Sequence, residues 1–218
     1  MERLIKGYRE FRKKRWPIER ANYLELAERG QKPEYLIIAC SDSRSDPATI
    51  FNGRPGEFFI VRNVAAIVPP YDSEHGFFGT RSAIAYAVVA LEVRNVVVMG
   101  HAQCGGVAVA MDPHAAEGVP YVREWVELLK PVVENAVCEK DGLDLCPNVE
   151  RDTVKLSVKR LLEYPFIAER MKAGKLRVDG ARFNIADGVL EVLNQKSGKF
   201  SPVERRLFSL PWRQAASY

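Results

Sequence analysis

Long apolar runs are missing from this sequence: the longest, Ala83 to Leu91, has only nine residues. Because a helix that crosses a bilayer needs about 20 apolar residues, we expect no membrane-spanning segment and no membrane partner. The first residues also lack the apolar stretch of a secretory signal, which favours a cytoplasmic protein. With 47% hydrophobic and 28% charged residues, the 218-residue chain has instead the composition of a folded globular protein.

Net positive charge is lacking outside the N-terminus. The first 20 residues hold eight Lys or Arg against three Glu, which accounts for the whole net charge of +4. The rest of the chain is close to neutral, so it lacks the basic field that steers nucleic acid towards a protein. We therefore expect no nucleic-acid partner.

Cysteine and histidine are also few, at four and three residues. Four cysteines do not make a disulfide scaffold in a chain of this length, so they are metal ligands, catalytic thiols or buried core residues. Cys138 and Cys146 flank a polar segment and are expected to be free thiols, with a disulfide between them as the second option.

Short apolar runs that alternate with helical patterns predict the fold. Strands are predicted at residues 35–40, 58–62, 95–100, 176–178 and, with a turn at 186–188, within 182–193. Helices are predicted at residues 2–15, 17–28, 80–91, 119–137 and 150–163, with shorter ones after Asp46 and Gly106 and a break at Trp16-Pro17. This order indicates an α/β fold with a mostly parallel central β-sheet flanked by helices, and an N-terminal helical extension. Since no repeat or linker divides the chain, a single domain spanning residues 1–218 is expected.

Two of the predicted strands end in unusual polar clusters. Cys40-Ser-Asp-Ser-Arg44 follows the first, and His101-Ala-Gln-Cys104-Gly-Gly106 follows the third. Because ligands bind beyond the carboxyl ends of parallel strands, neighbouring strands would bring Cys40, His101 and Cys104 to one point. One imidazole and two thiolates suit Zn²⁺, and three protein ligands with a fourth position open are the pattern of a catalytic zinc site.

A nucleophilic cysteine is the alternative use of the first cluster. Cysteine phosphatases separate their Cys and Arg by five residues, whereas three separate Cys40 from Arg44, so a phosphate cradle would not close. A single buried cysteine after a strand is often only a core residue. The occurrence of two such clusters at two strand ends favours the metal site over both alternatives.

The paired clusters resemble those of the β-class carbonic anhydrases, in which Cys-Ser-Asp-Ser-Arg is followed about 60 residues later by Gly-His-x-x-Cys-Gly-Gly. Further segments similar to that family are Pro55-Gly56-Glu57, Val61 to Ala65, Val68 to Tyr71, Ala83 to Val88, Tyr164-Pro165-Phe166, Gly174-x-Leu176 and Gly188-x-Leu190. The resemblance covers roughly residues 20–200.

The resemblance implies a zinc-dependent enzyme that reversibly hydrates CO₂ to bicarbonate and a proton by means of zinc-bound hydroxide. Cys40, His101 and Cys104 would be the metal ligands, with water as the fourth. Two thiolates offset the charge of Zn²⁺, so we expect a weaker pull on the water than three neutral imidazoles exert. Turnover should therefore rise from neutral to alkaline pH.

Asp42 and Arg44 resemble the catalytic dyad of the family. Arg44 would keep Asp42 ionised and away from the metal, and Asp42 would accept a hydrogen bond from the hydroxide. An ordinary surface ion pair of little energetic value is the alternative interpretation.

The resemblance also indicates the plant-like subtype, whose active site is always accessible. Gln31 would donate a hydrogen bond to bound CO₂ or bicarbonate, and Phe59 and Tyr86 would form an apolar wall. The bicarbonate-inhibited subtype has Trp and Gly where this chain has Ile37 and Ala39. We therefore expect no regulatory bicarbonate pocket.

Members of the family form homodimers or multiples of dimers, with the active site at the subunit boundary and an N-terminal helical arm, here residues 1–30, packed on the partner. The chain departs from the usual family pattern at Ala66, Arg81, Ala85 and Ala181, none of which is a metal ligand. A COS or CS₂ hydrolase on the same fold and a catalytically silent zinc-binding interaction protein remain as alternative functions.

Overall fold

The computed structural model describes residues 1–72, 76, 78–136 and 147–203. Its helices are α1 (Glu2–Glu10), α2 (Trp16–Arg29), α3 (Pro47–Ile50), α4 (Phe78–Ala85), α5 (Gly105–Met111), α6 (Val122–Val126), α7 (Lys130–Val133), α8 (Pro147–Leu162) and α9 (Pro165–Lys172). Its strands are β1 (Tyr35–Cys40), β2 (Phe58–Asn63), β3 (Asn95–His101), β4 (Arg177–Phe183), β5 (Leu190–Asn194) and β6 (Lys199–Pro202). Cys138 and Cys146 lie outside the described residues.

The six strands form one sheet in the order β2-β1-β3-β4-β5-β6. The pairs β1–β2, β1–β3 and β3–β4 are parallel, whereas β5 and β6 add as antiparallel strands at one edge. The predicted α/β class with a mostly parallel sheet is confirmed. Because β1 and β3 are direct neighbours, the polar clusters that follow them meet at the same edge of the sheet.

Helices α4, α8 and α9 cover one face of the sheet. β-Branched and leucine side chains of the parallel strands pack against Ile84 of α4, Val154 of α8 and Ile167 of α9, all of them buried. Helix α8 lies close to the sheet at Gly100, where a Cβ atom would come within 2.6 Å of Val154 Cγ2. The absence of a side chain at that position lets the start of α8 approach the carboxyl end of β3.

The opposite face carries a smaller apolar cluster. Ile37 and Ala39 of β1 pack there with Met99 and Ala181, next to residues of α3. Helix α2 is tied to the chain before β2 by a hydrogen bond from the Asn22 side chain to the Pro55 carbonyl, at 2.9 Å. Helix α1, in contrast, has no buried residue.

The N-terminal prediction needs one correction. Instead of breaking at Trp16-Pro17, the helical backbone continues from α1 into α2 through a π-helical turn at Phe11–Arg15. Proline lacks an N–H group and its ring clashes with the carbonyl one turn earlier. The wider turn, in which the Trp16 N–H donates to the Phe11 carbonyl, gives that ring room.

Later parts of the chain also differ from the prediction. The helix expected at residues 119–137 is divided into α6, a 3₁₀ turn at Glu127–Leu129 and α7, because Pro131 cannot donate to a preceding carbonyl. Helix α9 and strand β6 were not predicted. Within the part of the chain that the structure describes, every helix is too short or too polar to span a bilayer.

Candidate metal centre

The three predicted metal ligands converge at the carboxyl end of the sheet. Cys40 is the last residue of β1, His101 is the last residue of β3, and Cys104 immediately precedes α5. Their ligand atoms all lie within 4.8 Å of one another, and the two sulfurs are 3.8 Å apart. All three residues are buried. Among the described residues, this is the one Cys, His, Asp and Glu cluster compact enough to hold a metal ion.

The orientation of the His101 ring leaves one nitrogen free for a ligand. Its Nδ1 lies 2.8 Å from the Ala102 carbonyl oxygen, which accepts the ring proton. Its Nε2 is buried and has no hydrogen-bond partner in the structure, although Asp42 Oδ2 is 3.9 Å away. A buried nitrogen without a partner is energetically unfavourable, and a metal ion would satisfy it.

The thiols of Cys40 and Cys104 change each other's pKa. The hydrogen bond from Cys104 lowers the pKa of Cys40, while the same contact and burial raise the pKa of Cys104. Burial lowers the pKa of His101, but the charge of Cys40, the Ala102 carbonyl and Asp42 together leave that pKa above its ordinary value. A divalent cation takes the place of such shared protons when it binds.

The surrounding backbone is built to fit closely around the sulfurs. The Ala65 N–H donates to Cys40 Sγ at 3.3 Å from a left-handed backbone position, φ 64°. A Cβ atom at Gly106 would lie 2.5 Å from Val64 Cγ1, so only glycine allows α5 to start this close to that loop. The donor set of one imidazole and two thiols, with an unsatisfied nitrogen among them, fits Zn²⁺.

Asp42 and Arg44 form a clamped ion pair beside the metal ligands. Arg44 Nε and NH2 donate to the two carboxylate oxygens at 3.0 and 2.7 Å, and the Arg44 backbone N–H adds a third bond at 2.9 Å. The hydrogen bonds from Arg44 hold the pKa of Asp42 well below its ordinary value. The carboxylate is therefore ionised and its orientation is set before any substrate arrives.

Arg62 supports the same segment and was not given a role in the sequence interpretation. Its guanidinium donates to the carbonyls of Cys40 and Asp42 at 2.9 and 2.6 Å, and it pairs with Asp46 at 3.1 Å. It thus holds the backbone from the metal ligand Cys40 to Asp42. The register of β2 beside β1 places Arg62 opposite Ala39 and so brings its side chain to Cys40. No motif around Arg62 in the sequence predicts this contact.

The three predicted substrate-binding residues lie elsewhere in the chain. Phe59 and Tyr86 contact each other, with ring centroids 5.9 Å apart, and Tyr86 is 52% exposed. Phe59 is level with Leu36, about 13 Å along the strand from Cys40 at roughly 3.3 Å per residue. Gln31 is exposed and precedes β1, at the end of the strand opposite Cys40. One chain therefore brings the ligands and the dyad together, but not these three residues.

Comparison with known proteins agrees with this geometry. The sequence matches the family described as Carbonic anhydrase over residues 35–190. It is 34% identical over 199 residues to β-carbonic anhydrase 3 of Arabidopsis thaliana, a match that covers 88% of this chain and 76% of that protein.

Solved structures give the same answer. The β-carbonic anhydrase CcaA superposes with a TM-score of 0.85 at 31% identity, over 93% of this chain and 98% of its own. A tetrameric β-carbonic anhydrase of the ascomycete Sordaria macrospora superposes with a TM-score of 0.72 at 28% identity, over 94% and 96% of the two chains. The resemblance inferred from the motifs is confirmed: the chain belongs to the β-carbonic anhydrase family, whose members are zinc-dependent lyases.

Proposed function

We propose that this chain catalyses the reversible hydration of CO₂ to bicarbonate and a proton, with Zn²⁺ held by Cys40, His101 and Cys104. The observation that carries the proposal is the convergence of these three buried ligands beside a clamped carboxylate. When bound, zinc supplies a Lewis acid that lowers the pKa of a water molecule towards neutrality. The chain itself must orient that water and admit an apolar gas.

Asp42 is the residue we assign to orientation. Its Oδ2 lies 3.9 Å from the free Nε2 of His101, which puts the carboxylate within reach of a water next to the ligands. Because Arg44 keeps the pKa of Asp42 low, the carboxylate is a hydrogen-bond acceptor rather than a store for the proton. It accepts a bond from one O–H of the reacting water, so the lone pair of that oxygen faces CO₂.

Arg44 is the residue we assign to restraint. Its two side-chain donors occupy both oxygens of Asp42 and prevent the carboxylate from turning freely. Without them, Asp42 would be free to turn towards the metal position beside His101. The dyad therefore keeps a negative group close to the ligands without letting it become one.

Gln31, Phe59 and Tyr86 are assigned to substrate binding across a subunit boundary. They lie too far along the sheet to reach Cys40 of their own chain, and Tyr86 is largely exposed. A second copy that presents this surface to the metal centre would give CO₂ an apolar wall and a hydrogen-bond donor. The tetrameric relative from Sordaria macrospora makes such a homo-oligomer reasonable, with residues 1–30 as the arm that packs on a partner.

Mixed oligomers test this shared site. Chains with Cys104→Ser lack a metal ligand, and chains with Tyr86→Ala lack the wall residue. If the site is shared, co-refolding the two inactive variants pairs an intact metal centre with an intact wall, and part of the activity returns. No recovery in oligomers proved by mass spectrometry to contain both chains would contradict the assignment.

The always-accessible subtype is supported by the packing around β1. Ile37 and Ala39 pack in an apolar cluster with Met99 and Ala181, which disfavours burial of an anion there. Arg62 is engaged by two backbone carbonyls and Asp46. We therefore propose that bicarbonate does not inhibit through a separate pocket, so that product inhibition is simply competitive with substrate.

A reducing compartment is part of the same proposal. Two free thiols 3.8 Å apart are close enough to oxidise to a disulfide, which would remove both sulfur ligands. We place the enzyme in the cytoplasm for this reason. Cell fractionation followed by immunoblotting tests the assignment.

The decisive experiment measures CO₂ hydration by stopped flow together with zinc content. The purified protein should carry about one zinc per chain, lose activity when a chelator removes it, and regain activity when zinc is restored. Activity on COS measured in parallel distinguishes the related hydrolase, and zinc binding without turnover on either substrate identifies a silent binding protein.

A further inference from the structure

Gln103 lies between two metal ligands in an unusual backbone conformation. With φ at 55° it occupies the left-handed region, which is unfavourable for a residue with a side chain. Both of its main-chain polar groups bond to charged side chains: its N–H donates to Glu150 Oε1 at 2.5 Å, and its carbonyl accepts from Arg44 NH2 at 3.2 Å. One strained residue thus joins a carboxylate on α8 to the arginine of the dyad.

Glu150 is held rigidly from the other side. It is buried, and its second oxygen accepts two bonds from Arg182 at 2.8 and 2.6 Å. Arg182 is itself buried on β4 and pairs with Glu191 at 2.9 Å. Because both elements are packed in the core, the carboxylate presents its free oxygen to Gln103 in one orientation.

The carbonyl of Gln103 is the group that contacts the dyad. The same NH2 group of Arg44 that bonds to Gln103 also donates to Asp42 Oδ2 at 2.7 Å. A rotation of the Gln103 backbone would move the carbonyl and leave that group with one acceptor fewer. The position of Glu150 is therefore transmitted to Asp42 through three hydrogen bonds.

We propose that Glu150 is a positioning residue for the Asp42–Arg44 dyad, acting through the backbone of Gln103. The proposal rests on the function proposed above and adds a residue to it that touches neither the metal ligands nor the substrate. Arg182 serves to hold Glu150. Glu150 lies 47 residues after Gln103 in the sequence, so motif analysis does not reveal this link.

The matched variants are Glu150→Gln and Glu191→Gln. Each makes the same change next to Arg182, but of the two only Glu150 bonds to Gln103, between His101 and Cys104. We expect Glu150→Gln to lower kcat per bound zinc about tenfold with KM nearly unchanged, because misplaced groups near a reacting centre lose rate steeply. Glu191→Gln should lower Tm but leave kcat per zinc within about twofold.

A double-mutant cycle with Arg44→Ala shows whether the effect passes through the dyad. If it does, Glu150→Gln lowers kcat in the wild-type background and causes no further loss in the Arg44→Ala background. Full additivity of the two losses would overturn the proposal. So would a zinc content below half of wild type in Glu150→Gln, since Glu150 would then hold the ligands rather than the dyad.

A spectroscopic readout separates this proposal from the proposed function. The Arg44 side-chain NMR signal should shift in Glu150→Gln and stay in place in Glu191→Gln, whether or not the wild type hydrates CO₂. An unchanged Arg44 signal refutes the positioning role, whereas an inactive, zinc-loaded wild type refutes the function. If Glu150→Gln does not fold, Glu150→Asp keeps the charge that Arg182 requires but is too short for Gln103, and it should give the same pattern.

Discussion

Replacing Arg44 by alanine tests the dyad most directly. In the structure, the Arg44 side chain contributes two of the three hydrogen bonds that fix Asp42, and the third comes from its own backbone N–H. The variant keeps that backbone bond, so Asp42 stays nearby but can rotate. We expect zinc to remain bound, because no bond from Arg44 to a metal ligand holds the site together in the described residues.

The size of the loss follows from what Asp42 does. Asp42 orients the reacting water, and a misplacement of about 1 Å near a reacting centre can cost about 10²-fold in rate. Because Asp42 in Arg44→Ala is held by only one of its three bonds, we expect a loss of about a hundredfold in kcat. Arg44→Lys keeps the charge but not the two parallel bonds, so its activity should fall between those of the alanine variant and the wild type.

Stopped-flow CO₂ hydration with a pH indicator, expressed per bound zinc, measures this loss. Arg170→Ala is the matched control, since Arg170 also pairs with a carboxylate, Glu92 at 3.3 Å, at the other end of the sheet. That control should retain kcat within about twofold of wild type. If Arg44→Ala retained as much, Asp42 would not need its clamp and the assigned roles of both residues would be wrong.

The remaining predictions concern the metal, pH and assembly. Cys104→Ser should lower zinc content by atomic absorption to a small fraction of wild type, because a hydroxyl is a poor substitute for a thiolate. Turnover should rise between about pH 7 and pH 9, because two thiolates offset the charge of zinc; a flat stopped-flow profile would contradict this. Since the pKa of Asp42 is depressed, the ion pair stabilises the fold fully above the ordinary Asp pKa of about 3.9 and loses this contribution as pH falls through the lower folded value, so the Tm gap to Arg44→Ala should close in strong acid. Leu4→Asp/Tyr8→Asp, which charges the exposed apolar residues of α1, should reduce the oligomer mass by light scattering.

The parallel strands that carry the site and the metal ligands could be predicted because their signals are local. The apolar run at residues 35–40 coincides with β1, and polar clusters after two parallel strands must meet if those strands are neighbours. The ligand types, one imidazole and two thiols, then indicate which metal ion binds without further structural information. The sequence interpretation therefore reached the convergence of Cys40, His101 and Cys104 from two short segments.

The supports of the site could not be predicted in the same way. Glu150 and Arg62 are charged residues in common helical and strand patterns. Only the packing of α8 brings Glu150 to Gln103, and only the register of β2 brings Arg62 to Cys40. The π-helical turn at Phe11–Arg15 accommodates the Pro17 ring, and helix propensities do not predict such a local change in the helix. Phe59 lies away from Cys40 along the sheet, and we propose that Gln31, Phe59 and Tyr86 act from a second copy, which one sequence does not place.

The charges of the centre explain why its supports are so extensive. Two thiolates would balance the charge of a bound divalent cation, and Arg44 balances Asp42, so the ligands, the cation and the dyad together would be close to neutral. Such a centre would attract the bicarbonate anion less than one with three neutral imidazoles, which favours release of the product. Attraction to the metal cannot be what orients Asp42, because a carboxylate drawn to the metal would occupy the open coordination position. The orientation of the carboxylate must come from hydrogen bonds made elsewhere, and Arg44, Arg62 and Glu150 are the residues that make them or hold them in place.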